Sequence, residues 1–243
     1  MSLEFSHVNY PIRSNIKIII ALDYSNKKSA MQLINFLDPS MFRVKIGQEM
    51  FIRFGIKFIE EIHNLGFKIF LDLKLYDIPN TIAKSIYALS NLNIWMLSIH
   101  ACGGINMLKN AKIALNRFQS KKPLLIAITL LTSISESELK HLGITLSLSN
   151  YILKLAKLSC MAGLDGVVCS AKESNQIKRI FGDRFKTIVP GIRFSDHMLD
   201  DQKMIFFPQD IKKYNIDYLV VGRIITHSNN PIQALKKFLV YLK

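Results

Sequence analysis

Residues 67–92 read FKIFLDLKLYDIPNTIAKSIYALSNL. The first nine are rich in apolar residues, with Asp72 and Lys74 the polar exceptions near the end. A short run of this kind is how a parallel strand buried on both faces reads. Ile78, before a proline, is pushed to an extended conformation. Pro79 suits the first turn of a helix, where its missing N–H costs little. The stretch is therefore one βα unit, with a strand over 67–75 and a helix over 79–92.

The unit repeats outward in both directions. Strands are expected at 16–23, 42–47, 94–101, 123–131, 166–170, 186–192 and 218–223. Helices fit 27–37, 49–65, 104–118, 147–161, 173–181, 208–214 and 231–241. In 49–65, for example, Phe51, Phe54, Phe58, Ile59, Ile62 and Leu65 fall on one helical stripe. Eight βα units in 243 residues predict an α/β fold, a single (β/α)8 TIM barrel spanning 1–243. An open doubly wound sheet would also alternate, but eight even repeats favour closure. No linker or composition shift divides the chain. Residues 194–207 break the rhythm. Loops this long are functional lids or disordered segments, and a lid is the expectation here.

Composition narrows the class. Hydrophobic residues make up 49% and charged residues 21%, which excludes a disordered chain. Three cysteines without a C-x-x-C pair exclude a disulfide scaffold and a thiolate zinc site. The apolar runs at 16–22 and 123–131 are far too short to span a membrane. The first fifteen residues lack the apolar core of a secretory signal. The expectation is a soluble, reduced, cytoplasmic protein. The net charge of +14 favours an anionic partner. The lysines, however, come as scattered doublets (Lys27-Lys28, Lys121-Lys122, Lys212-Lys213, Lys236-Lys237), the pattern of a solvated surface. A nucleic-acid module would need clustered basic residues with interleaved aromatics, and the sequence lacks them.

Active sites of such barrels lie at the C-terminal ends of the strands. Asp23 closes the first strand, Lys45 lies near the end of the second, and the third carries Asp72 and Lys74, followed by Asp77. His100 lies near the end of the fourth, Thr129 and Thr132 lie near the fifth, and Ser170 closes the sixth. Arg193 follows the seventh and Gly222-Arg223 ends the eighth. Residues i and i+2 of a strand share a face. Leu71, Leu73 and Leu75 thus suit the helix layer, so Phe70, Asp72 and Lys74 point into the barrel, and Lys45 faces opposite to Val44 and Ile46. Buried charges must compensate one another, so Lys45, Asp72, Lys74 and a further carboxylate form a cluster. Such a cluster either closes the barrel structurally or performs chemistry. Gly222 lets a backbone approach a phosphate, and Arg223 offers a planar fork to its oxygens. Neither a P-loop nor a dinucleotide fingerprint is present, and the five histidines other than His100 show no metal-ligand spacing.

Asp72-Leu73-Lys74-Leu75-Tyr76-Asp77-Ile78-Pro79-Asn80-Thr81 resembles the D-x-K-x-x-D-I-P-N-T signature of the orotidine 5′-phosphate decarboxylases, most closely their compact bacterial type. Ala21-Leu22-Asp23, Val44-Lys45-Ile46-Gly47, His100-Ala101-Cys102-Gly103-Gly104, Leu131-Thr132-Ser133, Val168-Cys169-Ser170-Ala171, Pro190-Gly191-Ile192-Arg193 and Val221-Gly222-Arg223 resemble that family in the same order. Val189 departs from it, standing where threonine is common. The resemblance implies conversion of orotidine 5′-monophosphate to UMP and CO2 in pyrimidine biosynthesis, with no metal and no cofactor. It implies that Lys74 protonates C6, that Asp72 sits beside the leaving carboxylate, and that Lys45 and a partner subunit's Asp77 complete the charge network. Asp23, Lys45 and the partner's Thr81 would hold the ribose, Thr132 the pyrimidine edge, and Gln202, Gly222 and Arg223 the phosphate. Arg193 is a further ligand candidate. The implied assembly is a homodimer with shared sites, with neither nucleic acid nor membrane as partner. The keto-sugar-phosphate decarboxylases and hexulose-phosphate synthases share D-x-K-x-x-D but are metal-dependent and differ after the second aspartate.

Overall fold

The computed structural model describes residues 16–118, 122–194 and 206–242. Eight parallel strands close into a barrel in chain order. They are β1 (Lys17–Ala21), β2 (Phe42–Gly47), β3 (Ile69–Leu75), β4 (Met96–His100), β5 (Leu124–Ile128), β6 (Gly166–Val168), β7 (Lys186–Val189) and β8 (Tyr218–Val221), with β8 pairing back onto β1. The helices between them are α1 (Lys27–Ile34), α2 (Gln48–Asn64), α3 (Pro79–Ala88), α4 (Gly104–Ala114), α5 (Glu136–His141), α6 (Leu148–Met161), α7 (Ala171–Phe181), α8 (Arg223–Thr226) and α9 (Pro231–Leu239).

Strand parity sorts the core into two layers. Ile18, Ile20, Val44, Ile46, Ile69, Leu71, Leu97 and Ile99 face the helices in the larger outer core. Ile19, Ala21, Phe70, Met96, Ile126, Ile188, Tyr218 and Val220 fill the barrel interior. The inward set is therefore Lys45 on β2 and Phe70, Asp72 and Lys74 on β3, as alternation requires. Glycine is needed once in the wall: a Cβ on Gly166 would lie 2.2 Å from the Lys186 carbonyl oxygen, so only glycine lets β6 approach β7 this closely.

Several expected elements differ. The helix over 49–65 is kinked at Gly55, whose φ of 61° breaks the helical phase. Phe58, Ile59 and Ile62 are buried beyond the kink, while Phe51 and Phe54 are only partly covered and Leu65 is exposed. The segment 208–214 forms a 3₁₀ helix over Pro208–Lys213. The helix over 104–118 also gives way to 3₁₀ geometry after Ala114. Helix α5 was not expected. It is short and polar, started by a capping box in which Ser135 and Glu138 bond each other's backbone. The proposed lid over 194–207 falls almost entirely on residues 195–205, outside the described residues.

The N-terminal end of the barrel carries its own ion pairs. Lys178 of α7, its side chain only 4% exposed, pairs with Asp217, which also takes Lys186 at 3.1 Å and the Thr187 amide at 2.9 Å. Asp165 likewise joins Lys112 of α4 to the Leu125 amide. Burial pushes the Asp217 carboxyl up, but hydrogen bonds from Lys178, the Thr187 amide and Lys186 outweigh it, and its pKa lies below the ordinary 3.8. A depressed carboxyl stabilises the fold above its ordinary pKa and loses that contribution as pH falls. Asp217→Asn is therefore expected to cost about 3 kcal/mol at neutral pH, because it removes the carboxylate from a buried ammonium and leaves it a neutral partner, the Asp183 carbonyl at 3.1 Å. Lys178→Met leaves Asp217 satisfied and should cost less than about 1 kcal/mol. Urea unfolding of the two variants checks this, and equal losses would contradict it.

Candidate active site

The C-terminal mouth of the barrel holds a cavity of about 180 Å³. It is lined by Asp23, Lys45, Asp72, Lys74, Thr132, Arg193, Gly222 and Arg223, with an apolar wall that includes Phe70, Ile128 and Ile188. Typical small-molecule pockets span roughly 300–1,000 Å³, so a ligand of nucleotide size would also occupy the space above the mouth.

Four charges alternate across the first three strands. Lys45 Nζ lies 3.3 Å from Asp23 Oδ1 and 3.5 Å from Asp72 Oδ2. Lys74 Nζ lies 2.7 Å from the same Asp72 oxygen. Parallel pairing of β1 with β2 and of β2 with β3 brings the four together: Ala21 sits opposite Lys45, and Gly47 opposite Asp72. The Leu22 amide continues the β1–β2 ladder onto the Lys45 carbonyl, which fixes Asp23 one residue beyond. The Asp72 side chain is 8% exposed and that of Lys45 12%, whereas Lys74 at 31% opens to the cavity.

Burial works against both inner charges. It would push the Asp72 carboxyl up, but Lys45 and Lys74, with hydrogen bonds from Lys74 and Ser98, hold it below the usual carboxylate range. Burial would likewise lower Lys45, but Asp23 and Asp72 raise it above the ordinary 10.5. Its contribution to stability is complete below that value and is lost as pH rises through the raised one. His100 moves the other way, lowered by burial and by the nearby Lys74 ammonium. Its ring meets Tyr76 edge-on at 6.0 Å.

The backbone of Lys74 is unusual. Its φ is 51°, in the left-handed region that side-chain-bearing residues rarely adopt. Pairing between β3 and β4 jumps there, from Leu71 opposite Leu97 to Leu75 opposite Ile99, which marks a β-bulge. Ser98, on β4, meets the bulge: its hydroxyl donates to Asp72 Oδ1 at 2.7 Å and accepts the Lys74 amide at 2.9 Å. Ser98 is not among the residues expected at the site, although its place between the outward Leu97 and Ile99 turns it into the barrel.

The other candidates sort by position. Thr132 borders the cavity after β5, and Thr129 ties the end of β5 to the Val168 carbonyl. Arg193 is buried after β7. Its amide donates to the Phe206 carbonyl, and its guanidinium to the Ile192 carbonyl at 2.8 Å. Gly222 packs against the charge row, since a Cβ there would lie 3.0 Å from Asp23 Oδ2, and Arg223 begins α8 at the mouth. Asp77 and Thr81 do not line their own chain's cavity. Asp77 is exposed and accepts the Ile78 amide at 2.7 Å. Gln202 lies outside the described residues. Among the described residues, no three His, Cys, Asp or Glu side chains gather as metal ligands, and no helix is long and apolar enough to cross a membrane.

These features define an α/β barrel with a charged, ligand-sized site at the mouth. The orotidine 5′-phosphate decarboxylase / HUMPS family profile matches residues 17–238, and the chain belongs to that family. Among its relatives, the orotidine 5′-phosphate decarboxylase of Buchnera aphidicola subsp. Acyrthosiphon pisum (strain APS) is 57% identical over 219 residues, covering 90% of this chain and 92% of that protein. The Escherichia coli O127:H6 enzyme of the same name is 46% identical, covering 92% and 91%. The crystal structure of orotidine 5′-phosphate decarboxylase from Lactobacillus acidophilus superposes with a TM-score of 0.81 at 35% identity, over 94% of this chain and 99% of that one.

The geometry separates the two β3 charges. Asp72→Ala leaves the buried Lys45 with only the half-exposed Asp23 and is expected to cost about 3 kcal/mol. Lys74→Ala leaves Asp72 paired with Lys45 and Ser98 and should cost less than about 1 kcal/mol. Chemical denaturation at pH 7 distinguishes them, and a larger loss for Lys74→Ala would contradict this order.

Proposed function

We propose that the cavity at the barrel mouth is the place where orotidine 5′-monophosphate is decarboxylated and that its charge row carries the reaction. The chain is a carbon–carbon lyase that converts this nucleotide to UMP and CO2 in pyrimidine biosynthesis. The observation that carries the site assignment is the alternating row Asp23–Lys45–Asp72–Lys74, aimed into a cavity that also holds Gly222 and Arg223.

Breaking the bond between C6 and the carboxylate leaves an electron pair on C6 in an orbital with no adjacent sink. Preorganised charge is then the effective stabiliser, and reactions of this difficulty draw up to roughly 23 kcal/mol from the enzyme. Asp72 is placed beside the departing carboxylate, which favours its loss as neutral CO2. The Lys74 ammonium stabilises the developing carbanion and passes its proton to C6, and the resulting amine is reprotonated from water. Asp23 and Lys45 hold the ribose hydroxyls, and Thr132 meets the pyrimidine edge. The Gly222 backbone, Arg223 and Gln202 take the phosphate, with Arg193 as a further contact. Binding energy from the distant phosphate can then be spent at the reacting carbon.

The second half of the site comes from a partner subunit in this reading. Asp77 and Thr81 lie away from their own cavity, and Tyr76 and Ile78, which flank Asp77, are 63% and 66% exposed. An apolar pair this open suits burial in a symmetric interface. The three cysteines are all free, which fits a reducing cytoplasm.

Purified protein given orotidine 5′-monophosphate should release CO2 equally with and without EDTA. No CO2 release from orotidine 5′-monophosphate, beside EDTA-sensitive turnover of a keto-sugar phosphate, would favour the metal-dependent chemistry of the wider family instead. Lys74→Ala should stay folded and keep less than about a tenth of native kcat, a barrier rise above roughly 1.4 kcal/mol. Retention above that level would remove the proton-donor role.

Sharing of the site is tested by mixing. Lys74→Ala and Asp77→Ala, each nearly inactive alone, are unfolded together and refolded. Half of the dimers are then mixed and each has one intact composite site, so activity should return to roughly a quarter of native per site. No recovery despite mass-spectrometric proof of mixed dimers would refute the crossed arrangement.

A further inference from the structure

We propose that Ser98 is a positioning residue that sets the geometry of the Asp72–Lys74 pair through a single hydroxyl bridging the carboxylate and the Lys74 backbone. The inference rests on the reading that this pair carries the chemistry.

Between Leu71 and Leu75, four steps along β3 are matched by only two along β4, from Leu97 to Ile99. Ser98 is the β4 residue facing that surplus. It is fully buried and does not border the cavity, so it is placed to act through Asp72 and Lys74 alone. The bulge takes the Lys74 amide out of the regular ladder and onto the Ser98 hydroxyl at 2.9 Å. A left-handed lysine stores strain that its surroundings must hold in place, and this bond is one such restraint. The same hydroxyl gives its only hydrogen to Asp72 Oδ1 at 2.7 Å. That bond fixes the rotation of the carboxylate and turns Oδ2 toward both Lys74 and Lys45. Without the hydroxyl, the carboxylate can rotate, the Lys74 backbone can relax toward an extended conformation, and Nζ leaves its place. Gly222 and Arg223, assigned to the phosphate, follow β8 and lie outside this network.

The test measures kcat and KM for orotidine 5′-monophosphate in Ser98→Ala, Ser98→Thr and Ser98→Cys, with Lys74→Ala as reference. Ser98→Ala is expected to lose roughly 100-fold in kcat, the effect of an ångström-scale misplacement, with KM within about threefold of native. Ser98→Thr keeps the hydroxyl and should recover to within about fivefold of native kcat. A Ser98→Ala kcat within about threefold of native would overturn the inference, as would Ser98→Thr being as impaired as Ser98→Ala. If Ser98→Ala does not fold, Ser98→Cys decides: it keeps the shape but is only a weak donor and acceptor, and native kcat in it would overturn the inference. An active Lys74→Ala would overturn the underlying reading of the site. An inactive Lys74→Ala beside a native-like Ser98→Ala would overturn the Ser98 inference alone.

Discussion

A lysine ammonium cannot be buried without partners, and Lys45 is nearly buried. The mouth of the barrel is built around that requirement. Lys45 is held from one side by Asp23 and from the other by Asp72, and Asp72 reaches on to Lys74. The four charges sum to zero, which makes their burial tolerable. The two ends of the row differ from its middle. Asp23 and Lys74 are each paired on one side only, and all four side chains border the cavity. The inner pair is the more buried of the two, and the outer pair the more exposed.

Local strain accompanies the charge row. β3 carries a bulge, and Lys74 takes a left-handed backbone. A second set of ion pairs stands at the other end, where Lys178, Lys186 and Thr187 converge on Asp217, and Lys112 and Leu125 on Asp165. The strained features gather on the functional face and the ion pairs that brace the wall on the opposite one, a division this architecture permits because the two faces lie at opposite ends of every strand.

Much of this was legible from residue order. The strand over 42–47 has the boundaries of β2, and alternation alone turned Lys45, Asp72 and Lys74 into the barrel. These features depend on local periodicity, which a single sequence contains. What escaped depends on tertiary pairing. Parity along β3 pointed Lys74 inward but could not reveal its left-handed backbone, because the bulge exists only against β4. Ser98 looked like one small residue in an apolar strand until that pairing placed it beside the bulge. The stripe drawn through 49–65 assumed an unbroken helix, and a single positive φ at Gly55 moved its two ends out of phase. Short elements such as α5 and α8 carry too few residues for a period to show.

The ladder around the barrel is uneven. β1 to β5 run for five to seven residues, whereas β6, β7 and β8 run for three or four, and Gly166 offers no side chain to the wall between β6 and β7. All four members of the charge row sit on the long-stranded side. Partial opening of a protein follows its thinnest cooperative unit, so the barrel's natural seam lies across β6–β8. Transient unzipping there would loosen the wall that carries Arg193, Gly222 and Arg223 while the β1–β3 sector kept its hydrogen bonds. The four charges would then keep their spacing through such excursions, and the molecule could breathe without dispersing them.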